Sequence, residues 1–186
     1  VLSRMCLELD RMPDEYESFT LHTWIGGYNR LISTRNFTLT DNEGNEFGRA
    51  VSHWCMLDFK TRLPLDMNTL AKVHDGTIVD APSPCEGPKR LTGVDAEAIA
   101  THRVAYSDID FNRHMNTMRY IDFAADSLPI ETLEKLNAIR MDLNFMKEAL
   151  YGDTLSLLHK EEESRHCFEF RNDAGEPLCR MALEIK

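Results

Sequence analysis

One stretch of this chain occurs twice in related form. Residues 39–50 read LTDNEGNEFGRA and residues 170–181 read FRNDAGEPLCRM, 131 positions further on, so that Gly44 falls on Gly175 and Arg49 on Arg180. Each copy has the composition of two extended runs joined by a tight glycine turn. Two strand-turn-strand units of one design constrain the chain to two like halves. A match of hairpin length also arises between unrelated glycine turns, so the flanking elements have to carry the case.

Val1, Ser3, Met5, Leu7 and Leu9 alternate onto one face, and residues 19–25, 31–39 and 47–59 follow as runs rich in Thr, Phe, Trp and Ile. With the turn DNEG at 41–44 they predict an antiparallel meander over residues 1–63. Periodicity then dissolves. Pro82, Pro84 and Pro88 with Gly76, Gly87 and Gly93 cannot hold a central strand, and residues 64–99 are read as a linker. The last part, 100–186, has a strand at 100–106, an irregular segment at 107–114 and a helix from about 116 to 128. Met118, Ile121, Ala125 and Leu128 form the helix stripe and Pro129 stops it. Strands are expected at 139–145, 154–159, 165–171 and 178–185. A long helix followed by an antiparallel sheet that wraps it is the hot-dog architecture. The expected fold is therefore α+β, a double hot dog: two antiparallel sheets each wrapping a long helix. The first repeat is incomplete, its helix being expected upstream of Val1.

With 186 residues, 42% hydrophobic and 28% charged, the chain has the composition of a core-forming domain rather than a fibre or a disordered polymer. Its most apolar stretch, 130–145, is cut repeatedly by charge, so no membrane span is expected. A net charge of −10 opposes nucleic acid and anionic lipid, and an acidic partner must be met by a local basic patch. Five widely spaced cysteines read as reduced core thiols in a reducing cytosol. His166-Cys167 and His53-x-Cys55 lack the spacing of metal ligands, and no metal is expected. The opening VLSRMCLELD has neither the basic nor the apolar region of a signal peptide.

The densest chemistry is YSDIDFNRHMNTMRY, residues 106–120. Asp108 and Asp110, then Asn112 and His114, sit in an irregular segment that feeds a helix N-terminus, where free N–H groups and the positive end of the helix dipole collect. Such donors stabilise an acyl oxyanion that forms only in the transition state, and a carboxylate or imidazole beside them polarises water. Taken singly, Asp108 or Asn112 also reads as a helix cap and His114 as a core or surface histidine.

The combination Tyr-x-Asp-x-Asp-x-Asn-x-His-x-Asn followed by a helix resembles the active-site segment of the acyl-acyl-carrier-protein thioesterases of plant plastids and bacteria. The resemblance implies that the family's Asp-x-Asn-x-His set falls on Asp110, Asn112 and His114, and its further catalytic Glu on Glu148, within Met146-Lys147-Glu148-Ala149. It extends to VLSRMCLEL with Asp10, Arg11 and Pro13, and to Trp24 and Trp54. Where plant members often place a cysteine after the Glu, this chain has Ala149, and Thr117 replaces the second residue of an Asn-Asn pair.

The implied reaction is hydrolysis of the thioester between a fatty acyl chain and the phosphopantetheine arm of acyl carrier protein, a step of fatty acid biosynthesis. Glu148 and His114 take the proton of the attacking water, Asn112 holds the geometry, and Asp110 orients the cluster or assists water directly. N–H groups of Met115 and Asn116 are expected to meet the oxyanion, with no cofactor. Carrier protein is acidic, and Arg103, Arg113, Arg119, Arg140 and Lys147 are the candidates for the cationic patch it needs. A cytoplasmic location is expected, and a homodimer stays open at this point. An acyl-CoA thioesterase is the near alternative. A non-enzymatic acyl-binding hot dog has no need of all four polar residues. A hot-dog dehydratase normally carries Pro or Gly before its helix, and neither occurs between Val104 and Leu128.

Overall fold

A computed structural model describes residues 1–58, 60–70 and 76–186. Phe59, read above as the end of a strand, and residues 71–75 of the expected linker lie outside the described residues. The chain divides into two compact units, Val1–Lys89 with Asn137–Asp142, and Arg90–Leu136 with Leu143–Lys186. Its secondary structure is antiparallel sheet with few helices. Among the described residues no helix is long and apolar enough to cross a membrane.

In the first unit β1 (Leu2–Leu9), β2 (Thr20–Tyr28), β3 (Ser33–Thr40) and β4 (Glu46–Trp54) pair antiparallel in the order β2-β3-β4-β1. The sole helical element of this unit among the described residues is a 3-10 turn, Met67–Leu70. The alternation expected in β1 does not set its burial: Cys6 and Leu9 are buried while Met5 and Leu7 are half-buried. Cys6 stands opposite Val51, and its thiol donates to the Glu86 carbonyl at 3.3 Å, so a segment of the expected linker covers that row.

Residues 139–142, the start of β6 (Ile139–Phe145), belong to this unit and contain a buried Arg140. Its guanidinium grips Asp142 with two hydrogen bonds (2.8 and 3.1 Å), Glu8 at 2.5 Å and the Gly87 carbonyl at 3.0 Å. A buried arginine is tolerated only when its donors are satisfied in this way. Arg140 is 4% exposed and cannot contribute to a surface patch, which corrects its place among the candidate cations.

In the second unit β5 (Ala98–Arg103), β7 (Thr154–Glu162), β8 (Arg165–Asn172) and β9 (Pro177–Ile185) run β5-β7-β8-β9, all antiparallel. Helix α1 spans Thr117–Asp126 and a short α2 spans Ile130–Leu133. The buried stripe of α1 is Tyr120 and Ala124, continued by Leu128; Met118 is 57% exposed. The stripe is shifted from Met118, Ile121 and Ala125 because the large ring of Tyr120 takes the core. It makes edge contacts with Phe145 (5.9 Å) and Phe170 (5.1 Å), each such pair being worth about 0.5–1.5 kcal/mol beyond its buried area.

The two turns of the sequence repeat are alike atom for atom. Asp41 N–H bonds the Asn45 carbonyl and Gly44 N–H the Asp41 carbonyl, while Asp41 Oδ1 accepts from Glu43 and Asn45 N–H, all at 2.9–3.1 Å. Asn172 repeats each bond with Glu176, Gly175 and Ala174, also at 2.9–3.1 Å. Gly44 (φ 87°) and Gly175 (φ 77°) take the left-handed position that a side chain disfavours. A register shift follows at Leu39/Thr40 in one copy and at Phe170/Arg171 in the other, again 131 residues apart.

Candidate functional site

The irregular segment before α1 is a small hairpin. Ile109 bridges Met115, Asp110 N–H bonds the His114 carbonyl at 2.9 Å, and Arg113 N–H bonds the Asp110 carbonyl at 2.9 Å. Asp110 Oδ1 accepts from Asn112 N–H (2.8 Å) and from His114 N–H (3.4 Å). This is the bond pattern of the two repeat turns, met a third time. Here the left-handed position is held by Arg113, at φ 66°, and the turn it closes projects Asn112 into solvent.

A second strand of contacts brings Glu148 to His114. His114 bridges Leu150, and Met115 N–H donates to the Ala149 carbonyl at 2.8 Å, so residues 148–150 lie alongside 114–115. His114 Nε2 stands 3.2 Å from Glu148 Oε2, with the two side chains 31% and 33% exposed. An imidazole and a carboxylate in contact and open to solvent can share the proton of a bound water. Ala149 itself is buried, and its backbone hydrogen-bonds the hydroxyl of Tyr120, whose pKa burial pushes up.

Asn116 caps α1, its side chain accepting from Met118 N–H at 2.8 Å. Its own N–H donates to the Asp108 carbonyl at 2.8 Å, and that of Met115 is engaged by Ala149. The two N–H groups expected to face an oxyanion are thus spent on closing the hairpin. The N–H groups a helix leaves over begin one residue after its cap, and in α1 that of Thr117 has no acceptor among the described residues.

The structure therefore brings His114 and Glu148 together, builds Asp110 into the turn beneath them and leaves Asn112 at the exposed tip. Asp108, named in the motif but outside the catalytic set expected from it, is 1% exposed. It contacts His102 Nε2 at 2.7 Å and accepts from Ala105 N–H at 2.7 Å and Arg119 Nε at 2.9 Å. Burial raises its pKa, but these three partners outweigh burial and hold the carboxyl below its usual range. Asp108 stood in the quoted motif, but nothing in the sequence marked His102 or Arg119 as its partners. Of the remaining candidate cations, Arg119 is paired with Asp108 and Asp122, Lys147 with Glu176 at 2.6 Å, and Arg103 and Arg113 are exposed. Among the described residues no three His, Cys, Asp or Glu side chains are grouped to hold a metal ion.

Family models match the chain in two parts. The acyl-ACP thioesterase N-terminal domain covers residues 1–70 and the acyl-ACP thioesterase C-terminal domain residues 92–184. An acyl-ACP thioesterase from Bacteroides thetaiotaomicron has a similar structure, with a TM-score of 0.88 at 34% identity over 100% of this chain and 76% of that one. A chloroplastic oleoyl-acyl carrier protein thioesterase of Coriandrum sativum is 28% identical over 175 residues, 87% of this chain and 47% of that protein. A chloroplastic acyl-[acyl-carrier-protein] hydrolase of Cuphea viscosissima is 26% identical over 158 residues, 80% of this chain and 37% of that protein. The chain spans less than half the length of these curated relatives. With both domain models matched in order, and the His114–Glu148 contact inside the second, the chain belongs to the acyl-ACP thioesterase family.

Proposed function

We propose that this chain hydrolyses the thioester joining a fatty acyl group to the phosphopantetheine arm of acyl carrier protein. The observation that carries this reading is the 3.2 Å approach of His114 Nε2 to Glu148 Oε2 beside the start of α1. Water held by this pair attacks the thioester carbonyl and passes its proton to them. The Thr117 N–H, at the positive end of α1, meets the oxyanion. Asn112, at the tip of the turn, holds the thioester in place, and Asp110 holds the turn. The thiolate needs little acid help to leave, since a thiol has a pKa near 8.5. The two compact units are read as two hot-dog repeats, which the shared turn geometry supports. The free thiols suit a reducing cytoplasm.

Release of free fatty acid from a panel of acyl carrier protein and acyl-CoA thioesters tests the reading; no release from either class refutes it. One observation favours the CoA alternative. Of the five candidate cations, Arg103 and Arg113 are exposed with no carboxylate partner among the described residues, a thin patch for an acidic carrier. If they steer the carrier, kcat/KM falls with added salt more steeply for carrier substrates than for CoA substrates. Equal salt slopes point to CoA.

A further inference from the structure

Two residues before Asp110, three elements converge on a carboxylate. Asp108 Oδ2 contacts His102, from β5, and the Ala105 N–H at 2.7 Å each, and Oδ1 accepts from Arg119 Nε, from α1, at 2.9 Å. The backbone of Asp108 adds a fourth tie, its carbonyl accepting from the N–H of Asn116, the cap of α1, at 2.8 Å. Both side-chain partners are braced in turn by one ring. His102 lies against Phe123 with centroids 3.8 Å apart, and the Arg119 guanidinium sits 5.1 Å from the centre of the same ring. Arg119 Nη1 is further held by Asp122 at 2.8 Å.

The arrangement encloses the 110–114 turn at both ends. Asp108 precedes it and Asn116 follows it, and the hydrogen bond between them lies directly outside the Ile109–Met115 bridge. The carboxylate's own hydrogen bonds go to Ala105, His102 and Arg119, so its influence reaches His114 through the backbone. A buried anion tied to a guanidinium, an imidazole and a backbone N–H is expensive to move, because any displacement leaves a charge unpaired in a poorly hydrated site. The turn is thereby fixed relative to α1.

We propose that Asp108 is a positioning residue for the hydrolysis: by clamping β5 to α1 across the base of the turn, it sets where the His114 imidazole stands relative to Glu148. The inference rests on the hydrolase reading above. A shift of about 1 Å at a reacting group costs on the order of 100-fold in rate while leaving substrate contacts elsewhere intact. Loss of the clamp should therefore appear in kcat and spare KM.

The test is Asp108→Ala and Asp108→Asn, each assayed for kcat and KM with an acyl carrier protein thioester and by amide hydrogen exchange. Asp108→Ala should lower kcat by about 10- to 100-fold with KM within about threefold, and Asn116 N–H should exchange faster. Asp108→Asn, which keeps an acceptor for Ala105, should recover part of the rate. A folded Asp108→Ala protein with wild-type kcat and wild-type exchange at Asn116 overturns the proposal. If that variant does not fold, Arg119→Gln replaces it, with a smaller fall in kcat expected and an unchanged kcat refuting. Failure of the hydrolase reading is distinguishable: the unaltered chain then releases no fatty acid, while the exchange comparison still reports whether Asp108 holds the turn.

Discussion

Arg113 occupies, at φ 66°, the position in its turn that Gly175 occupies at φ 77° in the turn between β8 and β9. The hydrogen bonds around the two are the same, so the backbone path is common and only the side chain differs. A non-glycine residue in the left-handed region costs roughly 1–2 kcal/mol, partly offset by the smaller entropy it loses on folding. Arg113→Gly should therefore fold at least as stably as the unaltered chain, gaining up to about 1 kcal/mol. Arg113→Val, β-branched and poorly suited to φ > 0, should lose about 1–3 kcal/mol. Urea midpoints measure both, and a valine variant as stable as the parent would show that the turn is not held in this conformation.

Asp110 raises a separate question, whether its carboxylate takes part in the chemistry or serves the turn. Its Oδ1 is committed to two backbone N–H groups, and an asparagine keeps that oxygen. Asp110→Ala should lose the cap, at a cost of about 1 kcal/mol, and with it the placement of His114. If the charge is needed, Asp110→Asn lowers kcat about 100-fold in a protein of normal stability; if only the turn is needed, it is nearly silent. His114→Ala and Glu148→Gln should each lower kcat at least about 100-fold, with the double variant little worse than either alone. Fully additive losses would mean that the two do not act as a unit.

The strands were legible because β-branched and aromatic runs between glycine turns leave few alternatives, and β6 falls where the alternation put it. Which face each element buries was less legible. In β6 the alternation of Arg140, Asp142 and Asn144 with apolar residues suggests a solvated face, yet all three are buried, satisfied by Glu8, Lys89 and Leu91, partners far along the chain. In α1 a period-3.6 stripe through Met118 is as good on paper as one through Tyr120, and only the size of the neighbouring rings decides. Glu148 came from resemblance alone, since the bridge of His114 to Leu150 has no signature in spacing.

Glu169 predicts an acid dependence. Its side chain is 1% exposed, accepts from Arg171 and from Arg180 Nε at 2.5 Å, and takes the Val94 N–H at 3.3 Å. Burial raises its pKa, but the two guanidinium groups outweigh it and leave the carboxyl below its ordinary value. A carboxylate with a depressed folded pKa contributes stability that is complete above its unfolded value, about 4.3, and is lost as pH falls through the folded value. Glu169→Gln should cost about 3 kcal/mol at neutral pH, and the gap to the parent should narrow below about pH 4. Melting temperatures from pH 7 to pH 3 read this directly; a gap constant across the range would refute it.

The thiols bear on whether an acyl-enzyme forms. A nucleophilic cysteine needs a lowered pKa and a base within reach. Cys85 donates to Cys6 in the first unit, which lowers Cys6 and raises Cys85, but Cys6 is fully buried with its own thiol turned to the Glu86 carbonyl. Burial pushes Cys167 and Cys179 up. The position after Glu148 is the buried Ala149, and the ionisable partner of His114 is Glu148. Water activated by His114 and Glu148 is the nucleophile this arrangement favours. Replacing all five cysteines by Ala or Ser should accordingly leave kcat within a few fold once any loss of folded protein is corrected for. A covalent acyl adduct on a cysteine, seen by mass spectrometry during turnover, would overturn the water mechanism, as would complete loss of rate in a folded single-cysteine variant.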